Sequence, residues 1–371
     1  MAKYRIAWLP GDGVGNDVME AARLVLDAMK LDAEYIHGDI GWEFWCSEGN
    51  PFPDRTKEIL RSTDCALFGA ITSKPRDEAA AELAPGLQGK GLTYFSPIVQ
   101  MRQEFNLHTA LRPCKGYAGN PLNYCEGINI TVFRENTEDL YAGIEWHPIP
   151  DIVRAALDTH AKMKRFAATP NSEIAVSVRL NTVQGCESIC RQAFEYAKKH
   201  GRKRVTMVEK PNVVRETSGM MVRAGRKLAK EYPGISFDEA NIDAMCMWLL
   251  KSPLAYDVLI ASNLFGDIIS DLCGQLVGGL GFASSGNIGD KYAVFEPTHG
   301  SAPKYAGQYK VNPIATLLSA KLMLEWLGEV EGAAKLEGAV AAVIAEGKVR
   351  TYDMGGKNTT MEMAEAVAAK L

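Results

Sequence analysis

No Cys-x-x-Cys pair occurs anywhere in this chain, although it carries eight cysteines. Cys186 and Cys190 stand at helical spacing, but with no second pair and no histidine beside them they do not make a zinc site. The eight therefore read as reduced, structural thiols rather than disulfides or metal ligands. An unbroken apolar run is lacking too. The longest apolar region, Leu254 to Ala283, is interrupted by Asp257, Asn263, Asp267 and Asp271, which a bilayer would not tolerate, so it reads as buried core that carries polar groups. At the start, MAKYRIAWLPGDG is broken by Pro10 and Gly11 too soon for a signal peptide, and a cytoplasmic protein is expected. Positive charge is not in excess: the net charge is -4, and the longest basic run, KKHGRKR (198–204), closes a helix-like segment where cations suit the carboxyl end of the helix dipole. Neither nucleic acid nor a membrane is an expected partner. Repeats are missing as well, and only RDEAAAELAPGLQGKG (76–91) reads as a mobile loop.

What is present is ample core material, 47% apolar residues against 23% charged over 371 positions. That length suits two domains, or one doubly wound unit with a large insertion. KYRIAWLPGDGVGNDVMEAARLVLDAMK (3–30) reads as a strand, a glycine turn and a helix with Val18, Ala21, Ala22, Val25 and Leu26 on one face. DCALFGAI (64–71), INITVFRE (128–135), EIAVSVRL (173–180), RVTMVEK (204–210) and YDVLIAS (256–262) suit buried strands, most of them separated by helical stretches such as CESICRQAFEYAKKHG (186–201). The tail, from NPIATLLSAKLMLEWLG to TTMEMAEAVAAKL, is mainly helical. Alternation of this kind predicts an α/β fold.

Several clusters carry chemistry. GDGVG (11–15) invites a Rossmann reading, but the third glycine of that fingerprint falls at Asn16, and a tight turn needs glycines for backbone reasons alone. In NLFGDIISDLCGQ (263–275), Asp267 and Asp271 project one helical turn apart. Such a pair is a solvated acidic face or a seat for a hard divalent cation; with Ile268, Ile269, Leu272 and Leu276 leaving little solvated face, Mg²⁺ or Mn²⁺ is favoured. Asp243, among apolar neighbours, is a third candidate ligand. Arg102, Arg112 and Arg134 are structural ion pairs if taken singly, and a grip for several carboxylates if they converge. Tyr141 and Lys210 are acid/base candidates, although alone they read as a core tyrosine and a snorkelling lysine. EPTHGSAPKYAGQYKVNP (296–313) is a surface connection or a cradle for a phosphorylated ligand.

LPGDGVG, RENTEDLYAGIE, EKPNVV, NLFGDIISDL, GGLGFASSGNIG and HGSAPKYAGQYKVNP follow one another over nearly the whole chain. Together they resemble the β-decarboxylating dehydrogenases, which act on isocitrate, isopropylmalate, homoisocitrate or tartrate/malate; RENTEDLYAGIEW and APKYAGQYKVNP look most like NADP-dependent isocitrate dehydrogenase. The resemblance implies the isocitrate/isopropylmalate dehydrogenase-like fold, two α/β domains and not a Rossmann unit. Residues 1–105 and 275–371 would form a large domain, and 106–274 a small one with the dimer interface and a clasp-like segment about 142–180. GDGVG then becomes a fold turn.

The same resemblance implies residue roles. Ser96, Arg102, Arg112 and Arg134 would bind the substrate. Asp267 and Asp271, with Asp243 reaching across from the other subunit, would hold Mg²⁺ or Mn²⁺. Tyr141, with Lys210 and Asp243 of the partner subunit, would do the acid/base work, so a homodimer with shared active sites is implied. Thr72, Asn212, His299, Gly300, Lys304, Tyr305, Asn312, Tyr352 and Asp353 would hold the cofactor. NADP is expected because Lys304 and Tyr305 replace the Asp-Ile of NAD-using relatives, whose carboxylate repels a 2′-phosphate, and Tyr352 adds a third contact. Gly356 stands where relatives carry a further phosphate-binding arginine, which implies a weaker preference over NAD. Ile98, where relatives commonly have Asn, and the stretch GLTYFSPIVQMR (91–102) depart from the isocitrate pattern. They keep homoisocitrate or tartrate/malate oxidation as the alternative; a silent regulatory subunit is disfavoured because every catalytic position is filled.

Overall fold

The computed structural model describes residues 2–371. The first strand, β1 (Tyr4–Gly11), turns through Gly11 and Gly13, both at positive φ, into α1 (Val14–Ala28). A β-carbon on Gly11 would lie 2.0 Å from the Ala70 carbonyl oxygen, and one on Gly13 2.2 Å from that of Ser301. These glycines make room for neighbouring backbone, not for a pyrophosphate. Val18, Ala21, Ala22, Val25 and Leu26 are fully buried, the face that their spacing selects.

β2 (Ala33–His37), α2 (Trp42–Glu48) and α3 (Asp54–Arg61) lead to β3 (Cys65–Ala70), and α4 (Arg76–Ala81) and α5 (Pro97–Glu104) to β4 (Thr109–Lys115) and β5 (Asn129–Glu135). A two-stranded ribbon follows, β6 (Glu145–Trp146) and β7 (Val176–Ser177), with α6 (Asp151–Asp158) between its strands. Next come α7 (Val183–Lys199), β8 (Arg204–Glu209), α8 (Thr217–Ala229), β9 (Ser236–Asn241), α9 (Ile242–Lys251), β10 (Val258–Ala261) and α10 (Asn263–Leu276). The chain closes with β11 (Ser284–Ile288), β12 (Ala293–Pro297), α11 (Ile314–Trp326), α12 (Val330–Glu346) and α13 (Thr360–Ala368).

Ten strands form one sheet in the order β2-β1-β3-β12-β11-β4-β5-β10-β8-β9. Four at each edge run parallel to their neighbours, while β12, β11, β4 and β5 pair antiparallel through the middle. An all-parallel Rossmann sheet has no such centre. One half draws its strands from both chain ends, the other from residues 109–261. Against the first half pack α1, α11, α12 and α13, with Leu26, Leu317, Met323 and Val340 fully buried. The other half is covered by α7 and α8 through Ile189, Phe194 and Met221 and by α9 and α10 through Met245, Leu249 and Ile269. The eight cysteines are free thiols, Cys186 and Cys190 among the buried ones. No helix among the described residues is long and apolar enough to cross a membrane.

Two expected elements differ. EIAVSVRL is not a buried strand: only Val176 and Ser177 join the ladder, Leu180 makes an isolated bridge to Asp139, and the stretch lies at the surface in the ribbon, because it has one partner strand and little covering it. RDEAAAELAPGLQGKG is not a free loop either. It opens with α4, and Ala79 and Leu83 are buried against Trp45, whose indole donates to the Ala79 carbonyl at 2.8 Å.

Candidate active site

Arg102, Arg112 and Arg134 are 6%, 7% and 2% exposed, a depth at which arginines occur only with partners. Arg102, in the last turn of α5, donates through Nε to Asn287 (2.9 Å) and through Nη2 to Glu296 (3.1 Å). Arg112, on β4, donates through Nη1 to Ser270 Oγ at 2.6 Å and lies 3.4 Å from the carboxylates of both Asp267 and Asp271; its buried Nε has no partner. Arg134, on β5, donates twice to Asn263 Oδ1 (2.9 and 2.7 Å) and pairs with Asp267. A β-carbon at residue 266 would sit 2.6 Å from the Arg134 stem, which is why α10 carries Gly266 there. Burial and the two neighbouring guanidiniums press the Arg134 pKa down, while Asp267 opposes them. The three buried guanidiniums converge on Glu296 and on the more exposed Asp267 and Asp271, and with the buried Arg112 Nε left without a partner the cluster fits an anion.

Asp267 is the hub. One oxygen takes Arg134 and Arg112, and the other accepts the Tyr141 hydroxyl at 2.6 Å. Burial pushes its pKa up, but Arg134, the Tyr141 hydrogen bond and Arg112 outweigh it and hold the group below the ordinary carboxylate range. Asp271, one turn on, is raised, mainly by burial. The sequence expectation of little solvated face on α10 does not hold: Ile268 is 51% exposed and the Asp271 side chain 61%. Asp243 is not embedded among apolar groups either. It opens α9, its side chain is 68% exposed, and its carboxylate pairs with Lys210. Among the described residues no three potential ligands gather at one point. Asp267 and Asp271 are hard oxygen donors of the kind Mg²⁺ or Mn²⁺ takes, and two carboxylates alone do not fill the coordination shell of such an ion.

Tyr141 sits in a single 3₁₀ turn after β5, with the Arg134 guanidinium 4.8 Å from its ring centre. Burial, then the hydrogen bond to Asp267, raises its phenol pKa, so it holds its proton at neutral pH. Lys210 follows β8, two strands from β5 in the sheet order, and bonds to Asp243, whereas Tyr141 bonds to Asp267. Ser96 stands at the N-cap position of α5 without a side-chain capping bond, with Phe95, 60% exposed, beside it and Ile98 in one cluster with Met101 and Leu107.

A separate cleft of about 510 Å³ lies between the Gly278–Gly281 turn and the loop after β12. His299, Gly300, Tyr305, Asn312, Tyr352 and Asp353 line it. Burial lowers the His299 pKa, keeping the ring neutral, and its buried Nε2 has no partner, so the site fits a nucleoside that supplies one. Lys304 stands at the rim with Nζ 4.8 Å from the Tyr305 ring centre, and the Tyr305 and Tyr352 rings are 5.8 Å apart. Thr72 reaches the loop through Ser301, 2.6 Å between hydroxyls. Asn212, in an exposed turn beyond Lys210, is outside the cleft.

Sequence reasoning missed the residues that hold these groups. Asn263, Asn287 and Glu296 orient the arginines from positions far along the chain, and their one sequence signal is polarity inside otherwise apolar elements. Asp17, on the apolar face of α1, accepts from Gly307 (3.1 Å) and Tyr309 (3.2 Å) and fixes the loop; Asp12 accepts from Trp42 (2.7 Å) and Thr72 (2.8 Å).

A family model described as isocitrate/isopropylmalate dehydrogenase matches residues 5–367. Protein DlpA of Legionella pneumophila is 40% identical over 365 residues, 98% of this chain but 58% of DlpA, so the chain spans somewhat over half of that relative's length. The 3-isopropylmalate dehydrogenase of Archaeoglobus fulgidus is 40% identical over 367 residues, with 99% of each chain covered. The crystal structure of isocitrate dehydrogenase from Methylococcus capsulatus matches with a TM-score of 0.86 at 35% identity, covering 99% of both chains.

Proposed function

The chain belongs to the isocitrate/isopropylmalate dehydrogenase family, decarboxylating dehydrogenases that use a nicotinamide dinucleotide and a divalent metal on small acids, and from that premise we propose that it converts isocitrate to 2-oxoglutarate and CO₂ with NADP as acceptor. The observation that carries this reading is the convergence of three buried guanidiniums, Arg102, Arg112 and Arg134, with the Arg112 Nε unpartnered, which suits a substrate bearing several carboxylates. Lys304 and Tyr305 at the cleft support NADP, with NAD the weaker acceptor.

On this reading Ser96 and the three arginines orient the substrate. Asp267 and Asp271, with Asp243 of the partner subunit, hold the metal, and the cleft residues hold the adenosine half of the cofactor. When bound, metal and nicotinamide supply Lewis acidity and a hydride acceptor. Lys210 of the partner subunit, with its Asp243, takes the hydroxyl proton, and Tyr141 delivers a proton to the carbon that loses CO₂. A homodimer follows from this sharing. It is supported by Met247, Trp248, Leu250, Leu254 and Ile268, large apolar side chains left exposed on or near α9 and α10. Residues 1–105 and 275–371 would act as one domain and 106–274 as the other.

Phe95, exposed beside Ser96, favours a second reading in which the substrate carries an apolar arm, as for the 3-isopropylmalate enzyme of Archaeoglobus fulgidus. A steady-state panel of isocitrate, homoisocitrate, isopropylmalate, tartrate and malate with either cofactor decides. The first reading expects the highest kcat/KM with isocitrate and NADP. Any other best substrate displaces it, and an inactive protein that activates a partner enzyme would make the chain a regulatory subunit.

A further inference from the structure

We propose that Lys310 supplies the second cation for the cofactor's 2′-phosphate, a part that Gly356 leaves unfilled; the inference rests on the NADP reading above. A β-carbon on residue 356 would lie 1.9 Å from the Arg350 carbonyl oxygen, so this backbone admits no side chain there. The charge must come from elsewhere. Lys310 Nζ lies 5.9 Å from the centre of the Tyr305 ring, and Lys304 Nζ 4.8 Å from the same centre, so the phenol that lines the cleft stands under two ammonium groups. Neither lysine makes an ion pair among the described residues, and both are exposed on the loop. Two unneutralised cations beside one ring of the cleft both add to the positive potential that a phosphate bound there would meet.

The backbone of Lys310 is fixed from both sides. Tyr309 donates its amide to Asp17 (3.2 Å) and accepts from the Thr360 amide (2.7 Å), and the Val311 carbonyl accepts the Thr360 hydroxyl (2.6 Å). The Lys310 backbone is therefore fixed next to Val311 and Asn312, which line the cleft, so binding there would order only its side chain.

Isothermal titration of the purified chain with 2′,5′-ADP and with 5′-ADP, which has no phosphate at the 2′ position, tests this. Lys310→Gln is expected to weaken 2′,5′-ADP about tenfold, as loss of one charge-assisted contact does, with 5′-ADP unmoved and Lys310→Arg close to wild type. If Lys304→Gln weakens 2′,5′-ADP while Lys310→Gln does not, Lys310 has no such role and the NADP reading survives. If the wild type binds both nucleotides equally, the NADP reading falls and the inference with it.

Discussion

Tyr141 donates its hydroxyl to Asp267 at 2.6 Å while Arg134, 4.8 Å from the Tyr141 ring centre, pairs with the same carboxylate. A proposed proton donor and a proposed substrate-gripping cation thus meet on one proposed metal ligand, and whatever occupies one of the three changes the other two.

For Tyr141 this gives a divided effect. Tyr141→Phe keeps the ring under Arg134 and removes the proton. Turnover should fall about 10²- to 10⁴-fold, the range for loss of a general acid, while the dissociation constant of an unreactive substrate analogue changes little. Steady-state kinetics with an inhibitor titration reads both, and unchanged turnover would remove Tyr141 from the reaction.

For Asp267 the consequence is linkage. Its oxygens are taken by Arg134, Arg112 and Tyr141, and a polycarboxylate that draws the arginines away would release them. Mn²⁺ titrations followed by electron paramagnetic resonance should show affinity rising about tenfold when tricarballylate is present, and tricarballylate should bind tighter with Mn²⁺ by the same factor. Equal Mn²⁺ affinity in both conditions would show that the carboxylate is not held back.

Cofactor choice should follow the loop and not residue 356. Lys304→Asp combined with Tyr305→Ile is expected to swing kcat/KM toward NAD. Gly356→Arg is expected to lower the melting temperature without strengthening NADP binding, because the Arg350 carbonyl occupies the space its β-carbon needs. A stable Gly356→Arg protein with tighter NADP would contradict that.

On the opposite face of the sheet, Glu337 accepts from Lys115 at 2.6 Å and lies 3.3 Å from Lys321. Burial pushes its pKa up, but the two lysines win and the folded value is lowered. The stabilisation is therefore complete above the ordinary glutamate value, about 4.3, and is lost as pH falls through the lower folded value. Urea unfolding should show wild type ahead of Glu337→Gln at pH 6, with the gap closing below about pH 4; a gap independent of pH would refute the linkage.

The sequence made the alternation of strands and helices legible because β3 and β10 are buried on both faces and read as apolar runs, and β5 and β8 are buried over nearly their whole length. EIAVSVRL has the same composition but only one partner strand, and pairing across the chain is invisible in a local window. The spacing of Asp267 and Asp271 correctly placed both on one helix face. What it could not give was exposure, since Ile268 lies on a surface left apolar and open. Asp243 was misread for a related reason: the neighbours in its sequence window are not its neighbours in space, where Lys210 is. The supports of the arginines, Asn287 and Glu296, lie more than a hundred positions from Arg102 and leave no spacing to find.

The order of strands also bears on how the chain is made. Ala66 on β3 pairs with Val294 on β12, so a ribosome must add more than two hundred residues, on the order of tens of seconds of synthesis, before the first-made half of the sheet finds its partner. The second half, β4 to β10, has all its strands by residue 261 and can close first. Until then the apolar edge of β3 stays unpaired, which makes the nascent amino-terminal segment the part of this protein most in need of a chaperone.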